Sequence, residues 1–122
     1  PIEEAARIMA DKKIGGLPVV IAGKVVGMIT ETALFKIFLE LMGAREPGVR
    51  VTALIPEKRG QLAALTEAIA SQGGNFVAFG QFTGETTASR LLTFKVNGLD
   101  EDQLKSIVEP LVLELIDIRT RP

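Results

Sequence analysis

From residue 49 onward the apolar residues switch between a two-residue and a helical period, in an order that few folds accommodate. Val49, Val51, Ala53 and Ile55 alternate with Arg50, Thr52 and Leu54, the pattern of a half-buried strand. Glu57-Lys58-Arg59-Gly60 follows as a turn. Leu62, Leu65 and Ile69 then share one face of a helix that Gly73-Gly74 stops. Phe76 to Phe82 reads as a second strand and Gly84 to Ser89 as a polar loop. In a third strand Leu92, Phe94 and Val96 alternate with Leu91, Thr93 and Lys95. Asp100 stands at an N-cap position with Gln103 in capping-box spacing. The helix it opens carries Leu104, Ile107, Val108 and Leu111 on one face, and Pro110 weakens its end. Leu113 to Arg119 supplies a last strand. Strand, helix, strand, strand, helix, strand is the split βαβ, or ferredoxin-like, order. It predicts a four-stranded antiparallel sheet with both helices on one face. Leu54, Phe76 or Phe79, and Leu91 are expected to line the other face, where a partner can cover them.

The preceding residues form a separate block. Ile2, Ala5, Ala6 and Met9 fall at helical spacing over Ile2 to Lys13, and Gly15-Gly16 is expected to end that helix. Leu17 to Ile21 is a continuous apolar run that suits a buried strand, and Ala22-Gly23-Lys24 turns the chain into a second strand, Val25 to Ile29. Thr30 is placed to N-cap a further helix, with Glu31 in its first turn. Leu34, Ile37, Phe38, Leu41 and Met42 form its apolar stripe, which Phe35 and Leu39 widen beyond what one small sheet covers. A stripe this wide predicts packing on a neighbouring domain or subunit. The blocks separate at Gly43-Ala44-Arg45-Glu46-Pro47-Gly48. The expected organisation is therefore residues 1–43, a linker at 44–48, and a second domain over 49–122. The whole is α+β, an α-β-β-α piece followed by βαββαβ.

Composition narrows the chemistry. The sequence has no Cys, His, Trp or Tyr. No disulfide, thiolate nucleophile or ordinary zinc site can form, and the usual general base near neutral pH is missing. Asp100-Glu101-Asp102 serves capping and dipole roles rather than a hard cation, which needs more converging oxygens. We expect no metal, no cofactor and no enzyme activity; an unusual Lys or carboxylate would have to carry any catalysis. The formal charge of -1 offers no electrostatic footprint for nucleic acid or an anionic membrane. No apolar stretch is long enough to span a bilayer, and Pro1 is not an initiator residue. A cytoplasmic piece of a larger protein is the expectation.

Two resemblances enter on particular motifs. Pro1-Ile2-Glu3-Glu4-Ala5-Ala6, Gly16-Leu17-Pro18-Val19-Val20 and Gly23-Lys24-Val25-Val26-Gly27-Met28-Ile29-Thr30 resemble the CBS family over about residues 1 to 42. In that family the resemblance implies tandem repeats and a strand before the first helix, neither of which lies within this sequence. Val51-Thr52-Ala53-Leu54-Ile55-Pro56, Gly60-Gln61-Leu62 and Gly73-Gly74-Asn75-Phe76-Val77 resemble the ACT family over about residues 48 to 120. CBS repeats followed by one ACT domain look like the acetoin-utilisation protein B group, which the closing segment Leu113 to Arg119 also suits.

The CBS resemblance implies adenine-nucleotide binding. Backbone groups over Gly16, Leu17, Pro18 and Val19 would meet the base, and Thr30 would offer a hydroxyl and a helix N-terminus to ribose or phosphate. Where the family usually places a ribose-holding Asp, this chain has Ala33, which removes hydrogen bonds together worth about 1–3 kcal/mol. The ACT resemblance implies a small amino acid bound where two subunits meet. Gly60 would let backbone approach it, and the helix end at Gln61 and Leu62 would favour its carboxylate. Lys58 or Arg59 would pair with that carboxylate, Glu57 lies in the same turn, and Asn75 would act as donor and acceptor. Ile55 and Arg59 stand where amino-acid-binding members often have a polar residue and a proline.

The leading reading is a regulatory sensor, at least a homodimer, that passes ligand binding to a partner protein. The alternative is a ligand-independent dimerisation or assembly module.

Overall fold

The computed structural model describes residues 1–83 and 88–121. The expected polar loop 84–89 falls mostly outside them. The chain divides into two compact units, Pro1–Glu40 and Leu41–Pro122.

The first unit runs α1 (Ile2–Lys12), β1 (Gly16–Ile21), β2 (Lys24–Thr30) and α2 (Glu31–Leu41). Helix α1 buries Ala5 and Met9 and turns Arg7 outward, where it pairs with Glu4 and Asp11. The helix does not run on to the expected glycine stop. Lys13 adopts the left-handed conformation at φ 54°, and Ile14 N–H bonds back to Met9 O at 3.0 Å, so Gly15 and Gly16 lie beyond the helix end. Strands β1 and β2 form an antiparallel hairpin with Ile21 opposite Lys24. Its two turn residues, Ala22 and Gly23, both have positive φ, the geometry that matches strand twist in a tight hairpin. The expectation of a buried strand over Leu17 to Ile21 is corrected. Val20 and Ile21 are 54% and 63% exposed, because the unit places too little mass over its two strands. Helix α2 buries no residue, and Phe35, Phe38 and Leu41 stand exposed.

The second unit is a four-stranded antiparallel sheet in the order β4-β5-β3-β6. Its elements are β3 (Gly48–Pro56), α3 (Gln61–Ser71), β4 (Asn75–Thr83), β5 (Ser89–Asn97), α4 (Glu101–Val108), a single 3-10 turn at Glu109–Leu111, and β6 (Glu114–Arg121). This is the ferredoxin-like βαββαβ arrangement. Val49, Val51, Ala53 and Ile55 of β3 and Leu92, Phe94 and Val96 of β5 are buried with Leu65 and Ile69 of α3 and Leu104 and Val108 of α4. Strict alternation in the two central strands thus puts one row of side chains under both helices.

Local signals end the helices as the sequence indicates. Gly73 N–H bonds to Ala70 O and Gly74 N–H to Ile69 O, the paired bonds of a Schellman stop. Asp100 accepts from Gln103 N–H while Gln103 returns the bond to Asp100 N–H, a complete capping box.

The open face differs from expectation at β4. A register shift between Phe76 and Ala78 changes the alternation there. Phe76 and Phe79 therefore face the helix side, opposite Val96 and Phe94, with the Phe76 and Phe94 rings 5.6 Å apart. Phe82, opposite Leu91, joins Leu91 and Leu54 on the open face instead.

Candidate functional site

In the first unit, register pairs Gly16 with Thr30 where the hairpin meets α2. Thr30 Oγ1 accepts from Ala33 N–H at 3.2 Å, so Thr30 caps α2. Glu31 N–H donates to Gly15 O at 3.1 Å, which draws the Gly15-Gly16 backbone across the N-terminus of that helix. Gly16, Leu17, Thr30 and Ala33 are thereby gathered at one end of the hairpin, while Pro18 and Val19 lie further along, opposite Met28 and Gly27. A backbone edge beside a helix N-terminus can receive an anion or a polar ring edge. Ala33 is exposed and offers only a methyl group. The acid at this end is Glu31, whose carboxylate stands beside Gly15.

In the second unit the turn from β3 to α3 presents the other candidate. Gly60 is the N-cap of α3 at φ 83°, and the helix has no side-chain cap. Among the described residues, nothing lies within 4 Å of where a Gly60 side chain would point, which leaves the backbone there open toward them. Lys58 and Arg59 are exposed, and neither side chain holds an ion pair or hydrogen bond among the described residues. Glu57 is committed: its backbone N–H bonds to Ala88 O at 2.8 Å and its carboxylate accepts from Arg90 Nε. Gln61 is committed too, donating from Nε2 to Leu111 O at 2.8 Å, which ties the start of α3 to the 3-10 turn. Leu62 packs against the core.

Asn75 does not join this group. It opens β4 opposite Asn97, at the end of the sheet away from Gly60. Helix α3, 11 residues long, separates the two by roughly 16 Å. Beyond Asn97 lies an open cavity of about 450 Å³ whose lining includes Val49, Val96, Leu99, Asp100 and Thr120. Its walls are mainly apolar. Asp100 is engaged in capping, and Glu101 accepts from Thr120 N–H and Oγ1 at 2.6 and 2.7 Å.

Arg50 and Lys95 carry the least expected environment of the unit. They are register partners on the open face, and Lys95 is only 1% exposed. Sequence alternation assigns Lys95 to solvent. What covers it is the chain itself at Gly43 and Gly48, the two ends of a stretch whose polar composition reads as linker.

With this geometry in hand, comparison with known families is informative: residues 1–40 match the CBS domain. The match coincides with the first compact unit and takes in about a third of the chain. Domains of that family are regulatory and ligand-sensing, and they commonly bind adenine nucleotides and form dimers. Among the described residues, no helix is long and apolar enough to cross a membrane.

Proposed function

We propose that this chain is a non-catalytic sensor whose βαββαβ unit is an ACT-type domain over residues 49–122 that takes a small amino acid at the β3–α3 turn. The observation that carries the reading is the uncapped N-terminus of α3. Gly60 leaves its backbone open, and Lys58 and Arg59 stand exposed beside it. Gln61 N–H is bonded to Lys58 O at 3.2 Å, which leaves the N–H groups of Leu62 and Ala63 at the helix start; with two cations at hand, these suit a carboxylate. Asn75 lies too far away to touch the same ligand within one copy. A ligand that meets both Gly60 and Asn75 takes Asn75 from a second copy, which ties binding to dimerisation and gives the signal a route to a partner protein.

At the CBS part the proposed ligand is an adenosine compound held over Gly16, Leu17, Pro18 and Val19, with Thr30 at the ribose end. Glu31 supports a neutral hydroxyl donor over a phosphate at that position, because a carboxylate there attracts the first and repels the second. Calorimetric titration of the chain with small amino acids, and separately with adenosine, AMP and ATP, tests both halves. We expect heat with at least one amino acid and a loss of about tenfold in affinity in Arg59→Ala, in line with removal of a charge-assisted hydrogen bond. Absence of heat with every amino acid rejects the ACT half, and absence with every adenosine compound rejects the CBS half.

A second reading, assembly without a ligand, is favoured by the apolar surface of the first unit, where Val25 and Phe35 are each 65% or more exposed. Under it, light scattering finds the same oligomer with and without ligand.

A further inference from the structure

Arg50 and Lys95 are direct partners across β3 and β5 on the face away from the helices. Like charges in that position destabilise an antiparallel pair, and an ammonium group buried as deeply as Lys95 needs strong acceptors. Both cations find them in the residues that follow α2. Lys95 Nζ donates to Gly43 O at 3.0 Å, and Arg50 Nη2 donates to Met42 O. Carbonyls just beyond a helix lack intrahelical donors and carry the negative end of its dipole, so cations suit them. Burial lowers the Arg50 pKa from its ordinary value, and its Nη1 is buried with no hydrogen-bond partner among the described residues. The guanidinium is therefore held here at a desolvation cost.

The fit is close at both ends of the segment. Gly43 is buried in the left-handed conformation at φ 62°, where a side chain is strained, and a Cβ on it would stand 3.2 Å from Ala78 Cβ. A Cβ on Gly48 would meet Val96 O at 2.9 Å and Lys95 Cγ at 3.2 Å. The Lys95 stem thus lies against both glycines.

We infer that Arg50 and Lys95 form a two-cation clamp that fixes residues 42–48 to the open face of the sheet as a strap. Residues 42–48 are then an anchored part of the second unit rather than a slack end of it. The clamp stands apart from the sensory reading, since it needs no ligand.

Amide hydrogen exchange on the whole chain tests it. Within residues 42–48 the Glu46 amide, bonded to Gly43 O at 3.1 Å, is expected to exchange at least tenfold more slowly than in an unstructured peptide. Lys95→Met keeps the length and apolar stem while deleting the donor. It is expected to remove most of that protection at Glu46 and to leave residues 51–55 and 91–94 protected. Where Lys95→Met unfolds the sheet, Gly43→Ala loosens the same contact from the strap side and is expected to give the same local loss. The clamp is overturned by free exchange of the Glu46 amide in the parent chain. It is equally overturned by unchanged protection of that amide in Lys95→Met with the sheet intact, or in Gly43→Ala.

Discussion

At the scale of single residues, glycines with the same backbone conformation play different parts. Gly60 and Gly98 both have φ above 80°. A Cβ on Gly60 meets nothing among the described residues, whereas one on Gly98 would stand 2.6 Å from the backbone oxygen of Gly73. Gly60→Ala is therefore expected to cost only the left-handed strain, about 1–2 kcal/mol. Gly98→Ala adds an overpacking term of about 1–3 kcal/mol against a backbone atom that cannot swing aside. Urea unfolding of both variants checks the order, and equal losses would contradict the assigned environments. Gly60 was legible as a point of backbone approach only because motif spacing singled it out, and the space around it among the described residues needed coordinates. Lys95 was not legible: its alternation position reads as solvent-facing, and only the strap that covers it makes it buried.

At the scale of elements, the second unit was easier to read than the first because its boundaries are written in side chains. The Asp100 and Gln103 capping box and the Gly73-Gly74 stop are local interactions, complete within a few residues, so sequence order specifies them. Asp100→Ala is expected to lower the stability of the second unit by about 1 kcal/mol, and Asp100→Asn to retain most of it, since an amide oxygen still accepts from Gln103 N–H. Thermal unfolding of the two variants separates the cap from a charge effect: an equal loss in both would place the contribution in the carboxylate charge instead. Features set by long-range contacts were less legible. The end of α1 at Lys13 follows from a non-glycine residue taking a left-handed conformation, and nothing in composition marks it. The register shift in β4 moved Phe76 and Phe79 to the helix side because β5 fixes the pairing, and an isolated strand pattern carries no information about that neighbour.

At the scale of the molecule, the two units differ in what they can bury. The second encloses a continuous core around Phe94, Leu65, Ile69 and Leu104, each with no exposed surface. The first buries Ala5 and Met9 and leaves Val25, Val26 and Phe35 at least 58% exposed. Segments of about 40 residues seldom bury enough apolar surface to offset chain entropy without a disulfide, a metal or a partner surface. Cys and His are absent, which leaves a partner surface. Residues 41–122 produced alone are thus expected to unfold in one cooperative transition in urea. Residues 1–40 alone are expected to lack a cooperative transition at micromolar concentration and to gain helical signal as concentration rises, because association supplies the missing cover. Circular dichroism across a concentration series measures this. A sharp, concentration-independent transition in residues 1–40 would mean that the exposed apolar face of α2 and the hairpin needs no covering, and the assembly reading would lose its physical basis.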